Sequence, residues 1–241
     1  MRTRNGILIF LLLIGSVDFA QNGSGQQSWL KSNNFDESIS VFDKDGRPFV
    51  NTEDDVSGSS YFLPEWKYGR VRLTDSTGYD HIRLRLNLQT QVVHFLGRNN
   101  VEMVLPKGFV REVVLIDSTA PDSPSTYFFR NGFPAIDNQD GGNFYQVLAG
   151  GRLELLRSTR KVVSMEKNSI SGEETKEISE YTDHYLFSGG TMKKLKKERA
   201  FILGSVGDKK DKVDAYAAAG KLNFKSIDDI GRIITYYNGL P

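Results

Sequence analysis

Few residues in this chain have both the type and the spacing to do chemistry. Ser158-Thr159-Arg160-Lys161 matches Ser-x-x-Lys, which would put a hydroxyl nucleophile near an amine base. Penicillin-binding enzymes set that motif at a helix start and follow it with further motifs downstream. Here it sits in the β-rich text "RLELLRSTRKVVSM" without those companions, so the match is read as chance. No Gly-x-Ser-x-Gly elbow occurs; neither "VSGSS" nor "GSVGD" has the pattern. Asp43, Asp45, Asp137 and Asp140 lie in turn-like text resembling calcium loops, but Arg47 and Leu148 occupy positions that would have to be ligands. Turn formation explains both stretches. His81 and His94 flank "NLQT" on what alternation makes the polar face of a hairpin, half a zinc site with no third ligand identifiable. They are expected to be solvated.

Aromatic and basic residues offer binding rather than catalysis. Tyr61, Trp66 and Tyr68 have the makings of a sugar-stacking platform, although aromatics in a β-rich chain usually pack in the core. Lys193, Lys194, Lys196, Lys197 and Arg199 form a basic cluster, read as a solvated face ahead of an anionic-surface site. Gly-Gly occurs in two similar phrases, "YQVLAGGRLELL" and "HYLFSGGTMKKL". A phosphate-cradling loop must feed a helix N-terminus. The first pair precedes β-rich text and the second lacks a P-loop's Lys-Ser/Thr, so each is expected to turn a hairpin of one sheet. Met192 and Leu195, three apart, hint that the second phrase bends towards helix. No catalytic, cofactor-binding or metal residue is assigned, no cofactor is expected, and the ligand is unknown.

The elements that would carry these residues are mostly strands. "SISVF", "DKDG" and "RPFV" read as a hairpin. In "HIRLRLNL", Ile82, Leu84, Leu86 and Leu88 face one way and Arg83, Arg85 and Asn87 the other, as in a sheet with one wet face. Strands continue through "QVVHFL", "VEMVL", "VREVVLID" and "YFFR", with "STAPDSPST" as a loop. "EKNSISGEETKEISEYTD" is polar and reads as a long exposed connection. Near the C-terminus the period becomes helical. Ser205 and Ser226 are candidate N-caps with aspartates three residues on, and Gly220 is a candidate stop. Ile227, Ile230, Ile234 and Tyr237 share one helix face.

The expected fold is α+β and mainly β: an antiparallel meandering sheet, curled or sandwich-like, with two or three short C-terminal helices. Residues 1–20 read as a signal peptide, with Arg2 and Arg4 ahead of an apolar run from Ile7 to Ile14 and a cleavage-compatible Ala20. That run is shorter than the roughly 20 residues that span a bilayer. Residues 21–37 read as a flexible polar leader, and 38–241 as a single β-rich domain closed by helices across 198–241. Removing Arg2, Arg4 and Asp18 from 31 basic and 30 acidic residues leaves equal numbers, which argues against nucleic acid as a partner. The chain contains no cysteine, so it has no disulfide, thiolate metal site or cysteine nucleophile. A core of this size is self-sufficient without them.

"GSSYFLPEWKYGRVRLTDSTGYDHIRLRLNLQTQVVHFL" and the closing "KLNFKSIDDIGRIITYYNGL" resemble a broad group of uncharacterised exported proteins of Bacteroidetes-type bacteria. An aromatic, a Trp-x-x-Gly, a hairpin and a C-terminal Tyr-Tyr-Asn or Tyr-Asn phrase recur there. Leu86 stands where an aromatic is frequent in that group. The resemblance implies export and fold, and no activity. Together these readings point to a non-enzymatic periplasmic or secreted binding or structural module whose partner is an envelope protein or polymer. The alternative is a carboxylate-based hydrolase or lyase acting on an envelope or extracellular polymer. Oligomeric state is not legible.

Export has a direct test. Expressed in a Gram-negative host, the chain should be recovered outside the cytoplasm with an N-terminus near Gln21. Intact mass spectrometry that finds residues 1–20 retained would overturn the assignment.

Overall fold

The computed structural model describes residues 56–120, 122–167 and 174–241. The signal segment, the leader and the hairpin expected around "DKDG", with Asp43 and Asp45, lie outside them. Among the described residues, eleven strands form one large, mostly antiparallel sheet that does not close on itself. They are β1 (Val56–Ser57), β2 (Lys67–Leu73), β3 (Gly78–Asn87), β4 (Val92–Leu96), β5 (Glu102–Leu105) and β6 (Val110–Asp117). β7 (Ser125–Arg130), β8 (Tyr145–Ala149), β9 (Glu154–Lys167), β10 (Glu174–Ser188) and β11 (Thr191–Lys194) follow. Across the sheet the order is β5-β4-β3-β2-β6-β7-β8-β9-β10. The far edge of β10 is shared: β11 pairs with its C-terminal end, and β1 joins in parallel at Lys176 and Glu177. β1 is the one parallel partner among the described strands.

The alternating leucines set the core. Leu84, Leu86 and Leu88 are almost fully buried, as are Val71, Val93, Val113 and Leu115 on neighbouring strands. Asn87 departs from the expected wet face and is buried. The chain leaving β1 crosses to it: Tyr61 bridges Asn87, and the Asn87 amide donates to Ser60 Oγ at 3.2 Å. Its Oδ1 accepts from the Gln89 and Thr90 amides at 2.9 and 3.0 Å, closing the turn into β4. Burial here is that of a turn-forming side chain with every polar group used.

Both Gly-Gly phrases are hairpin connections of this sheet, β8 to β9 and β10 to β11. Gly189 and Gly190 have φ of 56° and 76°, the two left-handed residues of a tight turn between Ser188 and Thr191. Met192 is in a strand, and the helix begins later, at Arg199. "EKNSISGEETKEISEYTD" is not a long connection. Most of it extends β9 and β10, paired without a break from Glu154↔Phe187 to Lys167↔Glu174. The text is polar because much of this ribbon is wet, with Ser164 Oγ and Ser179 Oγ hydrogen-bonded at 2.7 Å across it.

Three helices follow: α1 (Arg199–Ser205), α2 (Lys210–Ala219) and α3 (Ile227–Gly239). Ser205 is not an N-cap; it ends α1, and its hydroxyl donates back to Phe201 O at 3.0 Å. α2 stops at Gly220 as expected, with Gly220 as its C-cap, but the left-handed residue is the next one. This is Lys221, at φ 51°, with Leu222 N–H reaching Ala217 O. Ser226 caps α3, its hydroxyl accepting the Asp229 amide, with Asp228 and Asp229 complementing the helix dipole. Ile202, Val206, Val213, Ile230, Ile233 and Ile234 pack against Ala149, Leu153, Leu155 and Leu186 of the sheet.

The end of α3 is clamped to the first Gly-Gly turn. Asn238 donates to Gly150 O and Leu153 O at 2.9 and 2.8 Å and accepts from Leu153 N at 3.0 Å. A Cβ on Gly151, whose φ is 138°, would lie 2.6 Å from Asn238 Cγ. Arg152 adds hydrogen bonds to Tyr237 O and Leu240 O. The Tyr-Tyr-Asn phrase therefore has a structural job. At about 0.5–1.5 kcal/mol net per hydrogen bond, Asn238→Ala should destabilise the fold by roughly 2–4 kcal/mol. Urea unfolding measures it; an unchanged midpoint would show that the clamp is dispensable.

Candidate functional site

The densest group of chemistry-bearing side chains lies on the wet face of β3, β4 and β5. Antiparallel register places Arg85 opposite His94, and the turn after β4 brings Glu102 back beside Leu96. Alternation then sets Arg85, His94 and Glu102 on one face. Arg85 Nη2 donates to both Glu102 oxygens, at 2.9 and 3.1 Å. His94 Nδ1 lies 2.6 Å from Glu102 Oε1, and the Tyr61 hydroxyl donates to the same oxygen at 3.3 Å. The guanidinium is sandwiched, its carbon 3.9 Å from the Tyr61 ring centroid and 4.1 Å from that of Trp66.

Burial alone would raise the Glu102 carboxyl. The His94 hydrogen bond and the Arg85 charge outweigh it and hold the group below its ordinary value. Glu102 is thus an ionised carboxylate shared by three donors. It can orient an imidazole or fix a guanidinium, and it is poorly suited to giving up a proton at neutral pH. Arg85 Nε is buried and, among the described residues, has no hydrogen-bond partner.

This geometry corrects the sugar-stacking platform. The space between Tyr61 and Trp66 holds Arg85, and Tyr68 stacks instead on His81, with centroids 4.4 Å apart. It also separates the two histidines, since His94 faces Arg85 while His81, in a left-handed conformation, lies towards the other end of β3. His94 is not solvated, its side chain being 14% exposed. No cluster of three or more potential metal ligands occurs among the described residues. Glu102 was not singled out in the sequence. The signal was present, because "VEMVL" alternates behind a short turn and must bring its outward glutamate near His94.

The second group lies under the loop between β7 and β8. Tyr185, fully buried, donates to Asp137 Oδ2 at 2.8 Å and accepts from Gln139 Nε2 at 3.1 Å. Gln139 Oε1 takes the Ser158 hydroxyl at 2.6 Å. Burial, followed by that Asp137 contact, pushes the Tyr185 phenol up, and burial likewise lifts Tyr145 to about 12. Ser158 and Lys161, three apart on a strand, point to opposite faces. Lys161 Nζ donates to Ser59 O and Tyr61 O, so the Ser-x-x-Lys spacing makes no dyad. Asp140 accepts the Gly142 amide in a turn and pairs with Lys107 at 3.3 Å.

The basic cluster divides. Lys194 pairs with Asp183 at 2.9 Å, and Arg199 pairs with Asp214 at 2.6 Å. Lys197 instead bears on His184, which stands directly opposite Arg157 in the β9–β10 ladder. Arg157 Nε donates to His184 Nε2 at 3.4 Å. Burial, then the charges of Arg157 and Lys197, pull the imidazole down to about 4, and Asp183 opposes them more weakly.

Comparison with protein-family models, curated proteins and solved structures returns no match for this chain.

His184 gives the fold a pH dependence of definite sign. Its ordinary value is 6.5 and its folded value about 4. Between those pH values the unfolded chain takes up a proton that the folded chain refuses, so stability falls as pH drops through the window. With solvent screening of a partly buried ring, the loss should be roughly 1–2 kcal/mol. His184→Gln should flatten that part of a stability–pH curve. Equal slopes in the two proteins would refute the assignment.

Proposed function

We propose that the chain is an exported, non-enzymatic binding module that engages a protein or polymer of the envelope or the extracellular space. The β9–β10 ribbon carries this reading. β8 pairs with β9 only over residues 155–157, and the two long strands continue beyond it. On that extension Val162, Val163, Met165 and Tyr181 are 38%, 41%, 67% and 51% exposed. Most of the large exposed apolar side chains among the described residues therefore gather on one ribbon. Val163 and Met165 lie on one face of the ribbon and Val162 and Tyr181 on the other, so both faces offer apolar contact surface. Backbone groups on the outer edge of β9 add a means of pairing with an extended segment.

Charge supports binding over paired-carboxylate chemistry. A hydrolase of that kind needs one carboxyl raised to act as an acid. Glu102, Asp117, Asp137 and Asp140 are all shifted the other way, each by hydrogen bonds or cations beside it. The expected curl of the sheet is supported by contacts between strands far apart in its order. The Lys161 amide donates to Leu88 O at 3.3 Å, and Phe144 N–H donates to Gln91 Oε1 at 2.9 Å.

Sedimentation with envelope fractions tests the proposal. The chain should be retained, and Val163→Glu with Tyr181→Glu should reduce retention at least tenfold without moving the unfolding midpoint. Undiminished retention would overturn the ribbon assignment. Turnover of a polysaccharide, peptide or ester panel that disappears in Glu102→Gln would overturn the non-enzymatic reading.

A further inference from the structure

The geometry points to an oxyanion site on the helix-bearing face of β9 and β10, centred on Arg157 and taking phosphate or sulfate groups. Leu155 and Leu186 are opposite each other on that face and lie beneath the helices. The next rung is Arg157 opposite His184, and the one after is Thr159 opposite Thr182. Lys161 and Glu180 then close the row, with Lys161 tied to the carbonyls of Ser59 and Tyr61. Two polar rungs are thus left between the helical layer and the crossing segment.

Arg157, like Arg83 and Arg152, pairs with no carboxylate among the described residues. Arg70, Arg85, Arg130, Arg160 and Arg199 each have a carboxylate within ion-pair distance. Arg157 is partly buried, yet its hydrogen bonds run to neutral groups, His184 Nε2 and Gln146 Oε1, both at 3.4 Å. Asp183 is adjacent to His184 but points to the opposite face, where Lys194 and Arg160 hold it at 2.9 and 3.8 Å. Glu180 is two rungs away, 3.8 Å from Lys161. Lys197 acts on His184, and exposed Lys193 faces the same way as Leu186.

A partly buried guanidinium without a counter-charge is incompletely solvated and has donors to spare. Its planar fork matches a tetrahedral oxyanion bidentately. The Thr159 and Thr182 hydroxyls, 3.5 Å apart, can donate to the remaining oxygens. With Nε2 accepting from Arg157, the His184 proton sits on Nδ1, a further donor. A bound anion would also reverse the local charge that depresses His184, so binding and protonation of that ring must reinforce each other. Lys193 and Lys197 extend the positive charge outward, which favours a polymer bearing several such groups over a single free anion.

The site does not depend on the apolar ribbon contact, and one experiment separates the two. The full mature chain is titrated with inorganic phosphate, and separately with heparin as a sulfated polymer, at fixed ionic strength while the His184 imidazole is followed by NMR. Saturable shifts and a raised His184 titration midpoint are expected, with heparin binding at least tenfold more tightly per molecule than phosphate. Arg157→Gln should weaken both at least tenfold. Arg160→Gln, on the opposite face, should leave both within twofold, and neither variant should change retention through Val163 and Tyr181. An imidazole signal unmoved by both probes, or moved equally in Arg157→Gln, would overturn the site. Binding of phosphate without the gain for heparin would overturn its extension to polymers.

Discussion

Leu155 and Leu156 are consecutive on β9, and both are completely buried. In a sheet with one wet face, neighbouring residues cannot both be shielded, so two separate layers must cover this strand. Helices α1 to α3 cover Leu155, while Phe133, Tyr145, Tyr185 and Met192 surround Leu156. The rest of the molecule is arranged around this doubly covered strand. The Asn238 clamp holds one layer down by gripping the turn that begins β9, and Gln139 pins the other through Tyr185 and Ser158. β10 inherits the constraint, with Tyr185 and Leu186 divided between the same two layers.

Past the coverage, the same two strands become wet on both faces, and the balance of forces changes from apolar burial to charge. The sheet generally handles arginine by giving it a carboxylate and, where it can, an aromatic surface. Arg85 has Glu102 with Tyr61 and Trp66, and Arg130 has Glu154 with Phe133. Partly buried ion pairs of this kind add little stability over an apolar replacement, but losing one partner is costly. They are therefore better understood as fixing which face and register each strand adopts.

Much of this was legible in the sequence because it follows from local period. The alternation through Leu84, Leu86 and Leu88 identified the core face, Gly189-Gly190 identified a hairpin, and Ser226 with Asp229 identified a helix start. The errors share a cause, which is contact with residues distant in sequence. Asn87 looked solvent-facing because nothing local announces that Tyr61 returns to cover it. The β9–β10 ribbon looked like a loop because a strand wet on both sides has a loop's composition. Ser205 had the right spacing for a cap, but α1 reaches it first. The Arg85 stack needed residues 61, 66, 94 and 102 together, and only register brings those into one place.

The two faces of the β9–β10 ribbon show how a chain with a formal net charge of only +1 can still carry a local charge. On one face Arg160, Asp183, Lys194 and Asp137 form a chain of alternating sign, so each charge has a neighbour to cancel it. On the other, the alternate rungs present Arg157, His184, Thr159 and Thr182, where the hydroxyls and neutral imidazole offer no cancellation. Pairing puts each of Asp183 and His184 on a different face although they are adjacent in sequence, so one residue of register decides which side is balanced. A slip by one residue would place Asp183 beside Arg157 and neutralise it. Net charge summed along the sequence is blind to this, because the sum does not know which face a side chain occupies. Burial first, and then the positive charge of that unbalanced side, depress His184, and the carboxylate next to it in sequence faces away. The imbalance is therefore a property of strand pairing, fixed by the same Leu155–Leu186 and Leu156–Tyr185 rungs that anchor the two cores.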